Sequence, residues 1–269
     1  MMNRIKLICL DVDNTLVDRD KNIPEKNLEA IRRASEAGVL ITVNSSRIGP
    51  SVRDFMQRLG VHYAYPALGG VLIQKWDGSI IEEHTIDREA ALAINAIGRS
   101  LGCTDFIYNR DYWCVDPGHT FWATSEYNAT RVPGAFRDTD AFIRSDGTNK
   151  ILGVNSNHAI VSELQSRIQK DFSDYVDCFK SDPKFLEIVP KGINKGTAVR
   201  SLCRFYGIEK ENVMSLGDFY NDLDMFRESG ISVAMANAPE DLKAHVDFVT
   251  KADADHAGVA EAIYHFIDC

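Results

Sequence analysis

The sequence has no Cys-x-x-Cys pair, no run approaching the ~18 apolar residues of a membrane span, no internal repeat and no excess of positive charge. Each absence removes a class of protein. The six cysteines, Cys9, Cys103, Cys114, Cys178, Cys203 and Cys269, are scattered and mostly lie in apolar surroundings, which reads as reduced core thiols and not as a disulfide frame or zinc site. The seven histidines show no His-Glu-x-x-His or other ligand spacing and read as structural or solvent-facing. Lys plus Arg total 30 against 39 Asp plus Glu, and a net charge of -9 argues against nucleic acid or an anionic membrane as partner. Any anionic ligand must therefore be held locally. Met1 to Lys6 run straight into an acidic strand end, without the h-region and cleavage site of a secretion signal, and together with the thiols this predicts a cytoplasmic address.

What is present is a chain of 269 residues with 45% hydrophobic content, enough for one large domain or two ordinary ones. Leu7-Ile8-Cys9-Leu10 is a short apolar run without polar alternation, the pattern of a strand buried on both faces, and it ends in Asp11-Val12-Asp13-Asn14-Thr15. Pro24-Glu25 opens a helix through Ala37, Val39 to Asn44 forms a second buried strand tipped by Ser45-Ser46-Arg47, and a helix follows from Ile48 to Leu59. Tyr63 to Ile73 reads as a further strand broken by Gly69-Gly70, and Trp76-Asp77-Gly78-Ser79 as a hairpin turn. Strands alternating with helices imply a parallel α/β sheet.

Near Glu83 the rhythm changes. A helix (Asp87 to Leu101), aromatic-rich strands, a loop with Pro133-Gly134, a strand (Lys150 to Val154), a helix (Ala159 to Phe172) and strands at Tyr175 to Lys180 and Phe185 to Val189 read as an inserted α+β module. This assigns residues 1–83 and 190–269 to a core domain and 84–189 to an insert. The core rhythm resumes with a helix from Lys195 to Tyr206, a strand Asn212 to Leu216, a helix opened by Gly217 to Asp222 and running to Ser229, and two last strands with their helices.

Ligand crevices in parallel sheets lie beyond the carboxyl ends of the strands, and four polar clusters stand at such ends or at helix N-termini: Asp11/Asp13/Thr15, Ser45/Ser46/Arg47, Lys195 and Asp218/Asn221/Asp222. Asp-x-Asp alone is as well read as turn chemistry. On a strand the two side chains would point the same way, and a divalent cation would relieve their repulsion. A cation such as Lys195 opposes the dipole at a helix start unless an anion is held there. The spacing of Asp218, Asn221 and Asp222 brings them together at one helix start. Together these groups supply a carboxylate nucleophile, a hard cation held by oxygens, with Asp11 and Asp218 meeting what Mg²⁺ asks of a protein, and fixed donors around a transferring group, the needs of phosphoryl transfer.

The segments Asp11-Val12-Asp13-Asn14-Thr15-Leu16, Ser45-Ser46-Arg47, Asn194-Lys195-Gly196 and Gly217-Asp218-x-x-Asn221-Asp222 resemble, in order and form, the four motifs of the haloacid dehalogenase superfamily. Within it the chain is similar to Cof-type phosphatases, whose large α/β cap is inserted between the second and third motifs. The resemblance implies a Rossmann-like core, Mg²⁺ dependence and hydrolysis of a small phosphate ester. Asp11 would attack phosphorus and become an aspartyl-phosphate, and Asp13 would protonate the leaving alcohol and then activate water, its backbone carbonyl reaching the metal. Thr15, Ser45 and Ser46 would bind phosphoryl oxygens with the Asn14 N–H, and Lys195 would neutralise developing charge. Asp218 would ligate the metal, supported by Asn221 and Asp222. Three departures from the family pattern stand out: Asn14 where glycine is commonest, Ser45-Ser46 where Thr-Gly is usual, and Gly69 where Asn usually precedes Gly70.

Some readings stay open. Arg47 either pairs with a carboxylate near the site or positions its helix, and Glu187 either faces substrate hydroxyls or is a plain strand residue. The aromatic group Tyr108, Tyr112, Trp113, Phe121, Trp122 and Tyr127 is expected to form cap core in preference to a sugar-stacking platform. A phosphomutase or phosphotransferase using the same intermediate is the alternative enzyme, a non-catalytic phosphate sensor the alternative class, and a monomer or homodimer is expected.

Overall fold

The computed structural model describes residues 5–269, and the reading of Met1 to Arg4 lies outside them. In chain order the elements are β1 (Leu7–Leu10), α1 (Glu25–Glu36), β2 (Leu40–Val43), α2 (Gly49–Arg58), β3 (Tyr65–Ala67), β4 (Leu72–Gln74) and β5 (Ile80–Glu83). There follow α3 (Arg88–Ser100), β6 (Thr104–Asn109), β7 (Tyr112–Val115), α4 (Thr120–Thr130), β8 (Ala135–Phe136), α5 (Thr139–Asp146), β9 (Lys150–Val154), α6 (His158–Asp171), β10 (Val176–Asp182) and β11 (Phe185–Pro190). The chain ends with α7 (Lys195–Tyr206), β12 (Val213–Gly217), α8 (Leu223–Arg227), β13 (Ile231–Ala234), α9 (Glu240–Lys243), β14 (Phe248–Val249) and α10 (Gly258–Phe266). The chain divides into two compact units, one of residues 1–46, 52–81 and 194–269, the other of residues 47–51 and 82–193.

The first unit is built on a five-stranded sheet of order β14-β13-β12-β1-β2 in which every pairing is parallel. Successive β1 residues face opposite ways. Ile8 and Leu10 pack with α1, α2 and α10, while Leu7 and Cys9 pack with α7 and α8, which explains the unbroken apolar run. The strand order reverses between β1 and β12, so their carboxyl ends open the crevice where such sheets bind ligands.

The stretch from Tyr63 to Ile73, expected as a strand broken by Gly69-Gly70, forms β3 and β4, which are antiparallel, joined by a 3-10 turn at Leu68–Gly70, and part of a small sheet with β5. The cause is the run of positive φ at Leu68, Gly69 and Gly70, which turns the chain back. The helix expected from Asp218 to Ser229 is a 3-10 turn at Tyr220–Asp222 followed by the five-residue α8.

The second unit is a six-stranded sheet, β10-β11-β9-β6-β7-β8, with α3, α5 and α6 packed on the face that carries Ile107, Cys114, Ile151, Leu186 and Ile188. Helices α4 and α5, on either side of the expected Pro133-Gly134 loop, were not read from the sequence. α4 carries almost no apolar stripe, with Phe121 and Tyr127 exposed and only Ala123 and Thr130 buried, so its helical period was not visible. The aromatic group is likewise divided: Tyr108 and Trp113 are buried, whereas Tyr112, Phe121 and Tyr127 are exposed, which corrects the expectation of a common core. Tyr112 begins its strand and Phe121 lies on the first turn of α4, outside the packed interior.

Candidate active site

The order of the sheet makes the site. The Asp11 N–H donates to the Leu216 carbonyl at 3.0 Å, so the peptide that follows β1 is tied to the end of β12, two residues before Asp218. On the other side of β1 the Asn44 N–H donates to the Leu10 carbonyl at 2.8 Å, which places Ser45 beyond β2. Lys195 comes from the first turn of α7, whose start is set by Asn194. The Asn194 carboxamide oxygen accepts from the N–H groups of Gly196 and Thr197, and the Thr197 hydroxyl accepts from the Asn194 N–H. The Asn44 amide then donates to the Lys195 carbonyl at 2.9 Å, fastening that turn to the sheet.

At the centre the Lys195 ammonium lies 2.5 Å from Asp11 Oδ1 and 2.6 Å from Asp222 Oδ1, all three side chains being buried. Asp222 Oδ2 accepts from the backbone N–H of Asp218 at 3.0 Å and of Phe219 at 3.1 Å. Gly217 allows this approach, since a Cβ there would come within 2.4 Å of the Asp222 carboxyl. Thr15, also buried, donates its hydroxyl to Asp218 Oδ1 at 3.3 Å.

These bonds sort the carboxylates. Carboxylate oxygens of Asp11, Asp218 and Asp222 lie within 4.8 Å of one another. Both Asp222 oxygens are engaged by protein donors, whereas among the described residues no donor hydrogen-bonds Oδ2 of Asp11 or of Asp218. The charges agree with that division: three carboxylates and one ammonium leave an excess of two negative charges, the charge of one divalent ion. An all-oxygen donor set offering two carboxylates suits a hard cation such as Mg²⁺. Without an ion, burial pushes the Asp11 carboxyl up to about 7 despite the pull of Lys195. Burial, and then the charges of Asp11 and Asp222, push Asp218 up to about 8. Burial alone would lower the Lys195 ammonium, but Asp11 and Asp222 together hold it well above its usual range.

Asp13 stands apart from this buried group. β1 ends at Leu10, so Asp11 and Asp13 do not alternate on a strand; Asp13 is half-exposed and takes the Lys21 ammonium on Oδ1 at 2.7 Å. Asn14 holds a left-handed conformation, φ 58°. Ser45 is buried and its carbonyl accepts from the Gly69 N–H at 2.9 Å, while Ser46 Oγ lies 3.7 Å from where a Gly69 Cβ would be. Asn221 is half-buried beside Asp222. Arg47 and Glu187 belong to the second unit. Arg47 donates to the Ala129 carbonyl and, at 3.4 Å, to Ser51 Oγ. Glu187 is buried, 2.8 Å from the Lys150 ammonium, and accepts from Ser181 Oγ at 3.0 Å. Asn44 and Lys21 were not singled out from the sequence, although Asn44 directly precedes the Ser45-Ser46-Arg47 cluster.

The fold and this centre define a class: a parallel α/β core whose sheet switch point carries a buried aspartate, lysine and aspartate, with a second α/β unit inserted. The family model of the haloacid dehalogenase-like hydrolases matches residues 8–263, and the chain belongs to that family, in its Cof-type phosphatase branch. The chain is 28% identical over 265 residues to the 5-amino-6-(5-phospho-D-ribitylamino)uracil phosphatase YcsE of Bacillus subtilis, covering 98% of this chain and 96% of that protein. It is 29% identical over 285 residues to YwtE, a phosphatase of the same name from the same organism, covering 98% and 97%. Among solved structures, a haloacid dehalogenase-like hydrolase from Bacteroides thetaiotaomicron superposes with a TM-score of 0.90 at 26% identity, covering 98% of this chain and all of that one.

Proposed function

We propose that this protein hydrolyses a small phosphorylated metabolite, a sugar or sugar-alcohol phosphate, in the cytoplasm, through an aspartyl-phosphate on Asp11 and with Mg²⁺ bound. The observation that carries the reading is the convergence of Asp11, Lys195, Asp218 and Asp222 from three separate stretches of chain onto one buried point. Asp11 and Asp218, with the Asp13 carbonyl, would hold the ion, which when bound draws charge from the phosphoryl oxygens and keeps Asp11 ionised. Asp11 attacks phosphorus in line with the leaving alcohol. Lys195 holds the attacking carboxylate in place and offsets the charge that gathers on the transferred group. Asp13, on the solvent side of the site, gives its proton to the departing oxygen and takes one from the water that then opens the aspartyl-phosphate. Hydroxyls of Thr15 and Ser45 and the backbone N–H groups of Asn14 and Ser46 bind the equatorial oxygens. The two ribitylaminouracil phosphatases support a polyhydroxylated leaving group, for which Glu187 and Arg47 are the candidate contacts in the inserted unit.

The test is release of phosphate from a generic aryl phosphate and from a panel of sugar and alditol phosphates, with Mg²⁺ and with chelator. Turnover that needs the ion and ends in Asp11→Ala is expected. Undiminished turnover in either control would sink the mechanism, and transfer of phosphate to a second alcohol in place of water would make the enzyme a phosphotransferase.

A further inference from the structure

We propose that Asn237 is a positioning residue for the nucleophile loop, its carboxamide holding the peptide between Asp13 and Asn14 in its working orientation; what that peptide does rests on the function proposed above. Asn237 lies in the turn between β13 and α9, 223 residues from Asn14, and its Nδ2 donates to the Asn14 carbonyl at 2.9 Å. Its Oδ1 accepts from the Ala254 N–H at 3.1 Å. One partner is an acceptor and the other a donor, so the orientation of the carboxamide has one solution. The same segment grips the far end of the loop: Asp255 accepts from the Arg19 backbone N–H at 2.9 Å and from Arg19 Nε at 2.7 Å. Residues 14 to 19 are therefore held at both ends by chain that the four motifs do not include.

The clamp falls on a residue with a left-handed backbone. Asn14 has φ 58°, in the left-handed region that asparagine enters more readily than most side chains but that other conformations compete with unless a contact selects it. Holding the Asn14 carbonyl sets ψ at that residue. With φ in the left-handed region, that in turn aims the preceding peptide, which carries both the Asp13 carbonyl and the Asn14 N–H. These are the two backbone groups assigned to the ion and to a phosphoryl oxygen. Asn14, Asn237 and Asp218 line one cleft of about 530 Å³, so the clamp and a metal-ligand candidate share a wall.

Two substitutions separate this role from a simple tie to the C-terminal segment. Asn237→Asp keeps the acceptor for Ala254 and loses the donor to Asn14, whereas Asn237→Ala loses both. At saturating Mg²⁺ we expect kcat for an aryl phosphate to fall about tenfold or more in both variants, with KM changed less than threefold. Affinity for orthovanadate, which mimics the five-coordinate phosphorus, should fall in step while the melting temperature of Asn237→Asp stays within a few degrees of the parent. An Asn237→Asp protein with the parent's kcat and vanadate affinity overturns the inference alone, as does a rate loss matched by loss of folded protein. A parent protein that neither hydrolyses the ester nor binds vanadate overturns the proposed function and this inference with it.

Discussion

At the scale of single residues the centre is a problem of charge in a dry place. Lys195 holds two carboxylates, and removing either partner of a buried pair costs more than the pair itself contributes. Asp11→Asn is the informative exception. It keeps the shape, removes a carboxylate whose pKa burial already raises, and leaves Lys195 paired with Asp222. We expect kcat to fall by at least about 10³ while the melting temperature of metal-free protein holds or rises, measured by single-turnover assay and calorimetry. A rate loss accompanied by unfolding would assign Asp11 a structural role. That these polar residues meet was legible in part from the sequence, because they stand at strand ends and at a helix start, which a parallel sheet brings to one edge. The division of labour between Asp218 and Asp222 was not, since it depends on which oxygens the backbone N–H groups of residues 218 and 219 occupy.

At the scale of elements, α7 carries the lysine and its first turn is set from two sides. Asn194 caps it, and Gly70 lies against it: a Cβ at Gly70 would stand 2.5 Å from the Asn194 carbonyl oxygen, at φ +99°. Gly70→Ala therefore has to move the helix start or the turn at residues 68–70, and we expect it to cost about 1–3 kcal/mol in denaturant unfolding and to lower kcat, because Lys195 moves with the turn. Asn194→Ala removes the cap alone and should cost about 1 kcal/mol. An unchanged kcat in Gly70→Ala would mean that the lysine tolerates the shift. The strands and α7 were readable because they are short apolar runs or strongly capped. α4 was not readable, because a helix with scattered apolar residues has no period to detect; the break at Gly69-Gly70 was readable, but that it reverses the chain into the antiparallel pair β3 and β4 was not, since it depends on the positive φ of Leu68 as well.

At the scale of the whole molecule, the acidic chain holds a site whose own excess negative charge asks for a cation. In the metal-free protein Asp11 near 7 and Asp218 near 8 lie above the ~4 of an aspartate in an unfolded chain, so the folded state binds protons more tightly. The stability these two groups contribute is present at low pH and is lost as pH rises through about 7 to 8. The melting temperature of metal-free protein should accordingly decline from pH 6 to pH 9 more steeply than that of Asp218→Asn. Added Mg²⁺ should raise it more at pH 9 than at pH 6, because the ion displaces protons at the lower pH. Equal slopes in the parent and in Asp218→Asn would show that burial does not shift this carboxylate.

The linear chain was sufficient to announce a parallel α/β core, an inserted module and the four clusters of polar residues, because burial on two faces and strand-end chemistry both leave local patterns in composition. Which carboxylate oxygens the protein's own donors occupy, that Asp13 sits out toward Lys21, and that Asn237 reaches back across most of the chain to Asn14 were settled by folding alone. The first two depend on how loop backbone turns its N–H groups and side chains, and the third on a contact across 223 positions; composition and periodicity encode neither.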